Sequence, residues 1–276
     1  MSTTSPKGAI AASPSTAKQP DYFSAFLDRA PLTLAIWRAS EAKALAQVKI
    51  VPPVLDLGCG FGEFAGVFFE SRVDIGVDPS QTDLARAEEA GKHAILIRGD
   101  AREMPLLTAS VNTVLSNSVL EHIAGPERVL AEVFRVLRPQ GVFAFTVVTS
   151  HMSDEMLLPR AFNRVGAKSL AKSYAAAYHR LFSHVSLHSK NEWQQMIKHA
   201  GFELVSVDNV MTGRSLLAFE LLLPLAVPSQ TIRTLLGHRL NLVPRRVRRA
   251  LFQPFRRLMD GDRDRQSNML IVARKP

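Results

Sequence analysis

Short apolar runs alternate with helix-patterned stretches through the middle of the chain. Residues 54–57, 73–77, 94–98, 111–116 and 142–149 are apolar, about one strand long, and predict strands. Between them, 63–70, 80–91 and 126–137 predict helices. Ser80 and Asp83 suggest a capping box for the second of these, and Pro139 a stop for the third. Runs that are apolar throughout, each followed by a helix, indicate a parallel sheet buried on both faces. The expected class is therefore α/β and doubly wound.

The flanks read differently. Residues 22–48 are helical in pattern, with Phe23, Phe26 and Leu27 on one stripe and Pro31 suited to open a second helix. Residues 150–188 carry Tyr, His and Phe without a clear period. Order returns with a helix over 189–200, for which Gly201 is a natural C′ residue, followed by a strand over 202–210. A last strand is expected at 268–273, and no internal repeat is found.

With 276 residues, 46% of them hydrophobic, the chain can bury a full core in one domain. The expected division is a disordered tail over 1–20 and one domain over 21–276, with 150–188 as a variable cap and 213–266 as a basic helical insertion. The tail lacks the apolar core of a secretory signal. Cys59 is the only cysteine, which excludes an internal disulfide or a multi-cysteine metal site and suits a reducing, cytoplasmic setting. No metal site is expected. The longest apolar run, 216–227, is broken by Glu220 and Pro224 and falls short of the ~20 residues that span a bilayer.

Net charge is +9, concentrated in residues 231–265, which hold ten arginines against three aspartates. Within 243–259, Val243, Val247, Leu251, Phe255 and Met259 recur every four residues, while Arg245, Arg246, Arg248, Arg249, Arg256 and Arg257 fall mostly elsewhere. Pro254 would divide this stretch into two helices. Such a pattern fits a lid packed on the domain, or a peripheral contact with an anionic membrane that delivers a lipid-like acceptor. Nucleic acid is disfavoured, because arginines without interleaved aromatics attract phosphate but recognise little.

The chemistry concentrates at the strand ends. Residues 54–62, VLDLGCGFG, run from a strand into a glycine-rich turn and a helix, so backbone amides can approach a ligand closely. Position 63 is Glu, which removes the third glycine of the dinucleotide fingerprint and argues against NAD or FAD. Asp78 ends the second strand, where its carboxylate can accept from ribose hydroxyls. Asp100 follows Gly99 at the end of the third.

Together VLDLGCGFG, GVDPS, GDA and SNSVLEHI resemble the class I S-adenosylmethionine-dependent methyltransferase family, in its broad small-molecule branch. The resemblance runs over about 53–149 and resumes at SKNEWQQMIKHAGFELVSV. It implies a Rossmann-like seven-stranded sheet of order 3-2-1-4-5-7-6, with strand 7 antiparallel. It further implies that Gly58 and Gly60 contact the methionine part of S-adenosylmethionine, with Asp56 shaping that loop. Asp78 would hold the ribose, Asp100 and Ala101 the adenine, and Asn117 would border the methionyl end.

Methyl transfer from a sulfonium requires alignment and exclusion of water more than a nucleophilic side chain. His122, after the fourth strand, is the candidate general base for an oxygen or nitrogen acceptor. It also reads as the start of a helix with local bonds. Tyr178, His179, His184 and His188 lie in the stretch expected to cover the acceptor and receive no role. The expected acceptor is a small molecule or lipid. RNA methylation is an alternative, although the loop after strand four lacks the segments used to methylate base amino groups or pyrimidine rings. A silent cofactor-binding protein is a further alternative.

Overall fold

The structure, a computed structural model, describes residues 20–236 and 244–276. The expected tail lies outside the described residues except for Pro20. So do Val243 and the rest of 237–243 within the basic insertion.

Seven strands form one sheet in the order β3-β2-β1-β4-β5-β7-β6. They are β1 (Val54–Leu57), β2 (Val73–Asp78), β3 (His93–Arg98), β4 (Val111–Asn117), β5 (Leu137–Val148), β6 (Glu203–Met211) and β7 (Arg265–Arg274). All neighbours pair in parallel except β7, which runs antiparallel to both β5 and β6. The expected class and strand order are both found.

Alternation along the strands sorts the core into two layers. Val54, Leu115, Ala144, Leu270 and Val272 face one cluster. Leu55, Val114, Phe143, Phe145, Met269 and Ile271 face the other. The first layer is closed by α1 (Tyr22–Leu27), α2 (Leu32–Leu45) and α3 (Glu63–Phe68). The second is closed by α5 (Pro126–Val136) and α9 (Lys190–His199). Between α3 and α5 lies α4 (Gln81–Ala90), which packs on β2 and β3. Burial of both strand faces explains the apolar runs of the sequence.

Several local expectations change. Ser80 Oγ accepts from Asp83 N at 3.2 Å, but Ser80 N donates to Asp78 at 2.9 Å, so only half the capping box forms at α4. Strand β5 starts at Leu137, directly after α5, and Leu137 pairs with Val111 before the register shifts. Pro139 thus lies inside an irregular strand start, with Gln140 at φ 65°, and does not end the helix. The unpatterned stretch forms α6 (Met152–Glu155), α7 (Leu157–Arg164) and α8 (Lys168–Leu181).

The apolar run lies on α10 (Gly213–Leu236). Glu220, which interrupts it, is buried and accepts from Leu157 N and from Leu158 N at 2.9 Å, so it caps α7. Among the described residues no helix is long and apolar enough to cross a membrane. After α11 (Arg245–Phe252), a 3-10 turn at Gln253–Met259 starts beside Pro254, giving the expected division. The basic stripe is split. Met259 is buried and Phe255 packs on the core, while Val247 and Leu251 are exposed. Arg248 donates to the Asp28 carbonyl at 2.8 Å, and Arg249 pairs with the Asp28 carboxylate.

Candidate active site

The carboxyl ends of β1, β2, β3 and β4 open onto a cavity of about 490 Å³. This is the crevice where open α/β sheets bind ligands, and its size is that of a small-molecule site. Gly58, Asp78, Asp100, Ala101 and His122 all line it. So do Arg102, Ser118 and Val119, which were not singled out in the sequence.

The glycine turn has a specific steric cause. Gly58 has φ 75°, and a Cβ there would stand 2.4 Å from Val119 Cγ2 and 2.6 Å from Cγ1. Only glycine combines that conformation with that approach. Gly58 N donates to the Val77 carbonyl at 2.8 Å, tying the turn to β2. Gly60 lies outside the cavity lining, and its N–H donates to Asp78 Oδ2 at 2.9 Å.

Asp78 therefore braces two loops, since its Oδ1 accepts from Ser80 N at 2.9 Å. Burial pushes its carboxyl above the usual value, against these two amide bonds. Each oxygen retains acceptor capacity for a ligand hydroxyl. Asp100 is more open. Arg102 grips both of its oxygens, at 3.0 and 2.6 Å, and Arg102 N adds a third bond at 2.8 Å. These bonds hold the Asp100 carboxyl at about 2.

Asp56 and Asn117 sit behind the cavity. Asp56 is buried and lies 2.9 Å from His93 Nε2. Its register partner on β2 is Gly76, where a Cβ would meet His93 Cδ2 at 2.8 Å, so glycine leaves room for the histidine to reach across. The Asn117 side chain turns away from the cavity, donating to Glu41 at 3.0 Å and accepting from Thr146 at 2.9 Å. Ser118 takes the lining position.

Glu41 was invisible in the sequence. It comes from α2, is fully buried, and stands behind the tips of β4, β5 and β7. Its Oε1 accepts from Trp37 Nε1 at 2.9 Å, Asn268 Nδ2 at 2.9 Å and Ser118 Oγ, with Thr146 Oγ1 3.3 Å away. Its Oε2 accepts from Arg38 and Asn117, both at 3.0 Å. A heptad-like helix pattern gives no hint of this, because every partner except Trp37 and Arg38 is distant in sequence.

On the other side, His122 opens onto the cavity from the 3-10 turn Leu120–His122. Its Nδ1 lies 3.1 Å from the Ser183 carbonyl, and desolvation holds its pKa below the usual histidine value. The segment after α8 folds over this turn, with Val185 N and Ser186 N donating to the Glu121 carbonyl at 2.9 and 3.0 Å. His184 comes within 5.3 Å of His122, ring to ring, and His179 packs behind it at 5.3 Å with its ring tilted by 49°. Glu121 is fully buried, and desolvation, with Glu41 adding to it, raises its carboxyl to about 8. His188 packs on Trp193 instead, and Tyr178 is buried among Phe182 and Phe219.

Comparison with known proteins agrees with this geometry. Residues 55–145 match the family described as Methyltransferase domain. An uncharacterized methyltransferase of Mycobacterium ulcerans is 34% identical over 139 residues, covering 47% of this chain and 53% of the relative. A malonyl-[acyl-carrier protein] O-methyltransferase of Serratia marcescens is 33% identical over 106 residues, 37% of this chain and 41% of that protein. The chain thus spans about half the length, or less, of these curated relatives. An S-adenosylmethionine-dependent methyltransferase of Thermotoga maritima shares the fold, with a TM-score of 0.53, 19% identity, and coverage of 89% of this chain and 92% of that one. The matched segment spans the strands whose tips build the cavity, so the likeness to the methyltransferase domain family falls on the part of the fold that forms the site.

Proposed function

We propose that the chain transfers a methyl group from S-adenosylmethionine to a small-molecule or lipid-like acceptor by in-line displacement. One observation carries the reading: the glycine turn, two carboxylates and His122 line a single cavity. When bound, S-adenosylmethionine supplies an electrophilic methyl on a sulfonium leaving group. Gly58, with no side chain, leaves space for its methionine part, and Gly60 supports that turn through Asp78. Asp78 accepts from the ribose hydroxyls. Asp100 and Ala101 receive the adenine, with Asp100 held ionised by Arg102. Asp56 and Asn117 act from behind, one through His93 and the other through Glu41.

His122 faces the acceptor side, under a cap formed by 150–188. The lipid-like alternative among acceptors draws support from exposed Val247 and Leu251 beside exposed Arg245 and Arg246, a face suited to an anionic bilayer. Flotation with anionic vesicles tests that part, and binding that persists after Arg245 and Arg246 are replaced by Gln removes the electrostatic version.

The main test is calorimetry with S-adenosylhomocysteine. Wild type should bind, and Asp78→Asn should bind about tenfold or more weakly, as expected for a lost charge-assisted bond of ~1.4 kcal/mol or more. Lack of binding to wild type refutes the proposal. Labelled methyl transfer into an extract then identifies the acceptor fraction.

A further inference from the structure

We infer that Glu121, His122 and His184 form a site for one divalent first-row transition-metal ion beside the methyl-transfer cavity. One carboxylate oxygen of Glu121 and one ring nitrogen of each histidine lie within 4.8 Å of one another. Metal–ligand bonds of about 2.0–2.2 Å place tetrahedral ligand atoms about 3.3 Å apart, so binding requires each side chain to close by roughly 1 Å or less. The expectation of no metal site rested on the single cysteine, which does not bear on histidine and carboxylate ligands. Here the third ligand arrives from the loop after α8, which is fastened to the Glu121 backbone by the amides of Val185 and Ser186.

The hydrogen bonds around the cluster suit ligation. His122 Nδ1 faces the Ser183 carbonyl at 3.1 Å, which can only accept, so Nδ1 carries the proton and Nε2 keeps its lone pair. His184 Nδ1 lies 3.0 Å from His179 Nδ1, and His179 Nε2 lies 2.7 Å from Ser153 Oγ. Donation from His184 to His179, and from His179 to Ser153, satisfies each of these contacts and frees His184 Nε2. Orientation of ligating imidazoles by a second hydrogen bond is the arrangement that metal sites use.

Glu121 supplies the independent observation. Its Oε1 accepts from Val148 N at 3.3 Å, but its buried Oε2 has no hydrogen-bond partner. An unpartnered buried carboxylate oxygen is costly, and a cation at this point would satisfy it. Arg38 is already engaged by Glu41 at 3.0 Å. Two imidazoles and one carboxylate favour Zn²⁺, Fe²⁺, Co²⁺ or Mn²⁺ over Ca²⁺.

Because His122 lines the cavity, an ion there is within reach of an acceptor's oxygen. Bound to the ion, an acceptor hydroxyl would lose its proton to water near neutral pH. Its oxygen would then bond the methyl carbon while the carbon–sulfur bond breaks and its electrons stay on sulfur. This use of the ion rests on the methyl-transfer reading, whereas ion binding does not.

The test uses the full chain after chelation and dialysis, without cofactor. Co²⁺ is titrated and followed by its visible absorption, and Zn²⁺ by calorimetry. One ion per chain is expected. His184→Ala and Glu121→Gln should each weaken binding by about 100-fold or more, while His199→Ala, at an exposed position on α9, should not. S-adenosylhomocysteine affinity of His184→Ala, whose site lies outside the cavity lining, reports that the variant is folded. A wild type that binds S-adenosylhomocysteine but no ion, or ion binding untouched by both ligand substitutions, overturns the site. Ion binding without S-adenosylhomocysteine binding would instead overturn the methyl-transfer reading.

Discussion

Replacing Gly58 by Ala should damage stability by an amount whose steric part a second substitution removes. Holding a non-glycine residue at φ 75° costs about 1–2 kcal/mol. The new Cβ would also stand 2.4 and 2.6 Å from the two Val119 methyls, well inside carbon–carbon contact distance, so Val119 must move. Overpacking of that kind costs about 1–3 kcal/mol, giving roughly 2–5 kcal/mol in all. Val119 lines the cavity, so its displacement should weaken S-adenosylhomocysteine binding as well. In a Val119→Ala background both methyls are gone and the contact with residue 119 relaxes to 3.1 Å, at its Cβ, leaving chiefly the conformational term. Urea unfolding of the four proteins of this cycle should give a coupling of about 1–3 kcal/mol. Gly60→Ala is the internal control, because its φ is 52° but its Cβ would meet nothing within 4 Å, so it should lose only about 1–2 kcal/mol. Equal cost of Gly58→Ala in both backgrounds would refute the steric argument.

Glu41→Gln should lower stability by about 3–5 kcal/mol by thermal or urea unfolding, because the amide brings N–H groups against donors and leaves Arg38 without its partner. A loss below about 1 kcal/mol would show that the carboxylate is dispensable. Cys59 is buried, and desolvation with Asp56 and Asp78 nearby raises its thiol, so a thiol reagent at pH 8 should label nothing in the native protein and one site after unfolding. Rapid native labelling would contradict that environment. The Asp100–Arg102 pair depresses the folded carboxyl to about 2, so its stabilising contribution is complete above the ordinary value of ~3.9 and is lost as pH falls towards 2. In Arg102→Ala the Asp100 carboxyl should titrate nearer ~4 by carbon NMR, and an unchanged midpoint would disprove the assignment.

The sheet could be read from the chain because its strands are buried on both faces and therefore apolar throughout. Elements set by such burial, such as Val54–Leu57 and Val111–Asn117, kept their expected positions to within a residue. The early start of the strand at Leu137 was hidden because Pro139 ordinarily marks a boundary, whereas here a register shift accommodates it. The helices of 150–188 gave no clear period because few of their residues are buried. On the 14-residue helix Lys168–Leu181 only Ala171 and Tyr178 are, too narrow a stripe to stand out from noise. The cavity residues Gly58, Asp78, Asp100 and Ala101 were legible because each sits at a strand tip within a short motif. Glu41, Glu121 and His184 were not assigned, since what distinguishes them is partners on remote elements.

The tip of the fourth strand shows why those remote partners matter to the site. Ser118 has φ 52°, a conformation that costs a non-glycine residue about 1–2 kcal/mol. It is held there by its N–H, which donates to the Thr146 carbonyl and hydroxyl at 3.1 and 3.0 Å, and by its own hydroxyl on Glu41. The reversal turns Asn117 inward to Glu41 while Ser118 borders the cavity, then delivers Val119 against Gly58 and His122 to the cavity lining. The buried carboxylate on α2 thus fixes the backbone path on which the shape of the glycine turn and the position of His122 both depend. Glu41 does not itself line the cavity, yet the same glycine-rich sequence without it would lose the hydrogen bonds that fix Ser118 and Asn117.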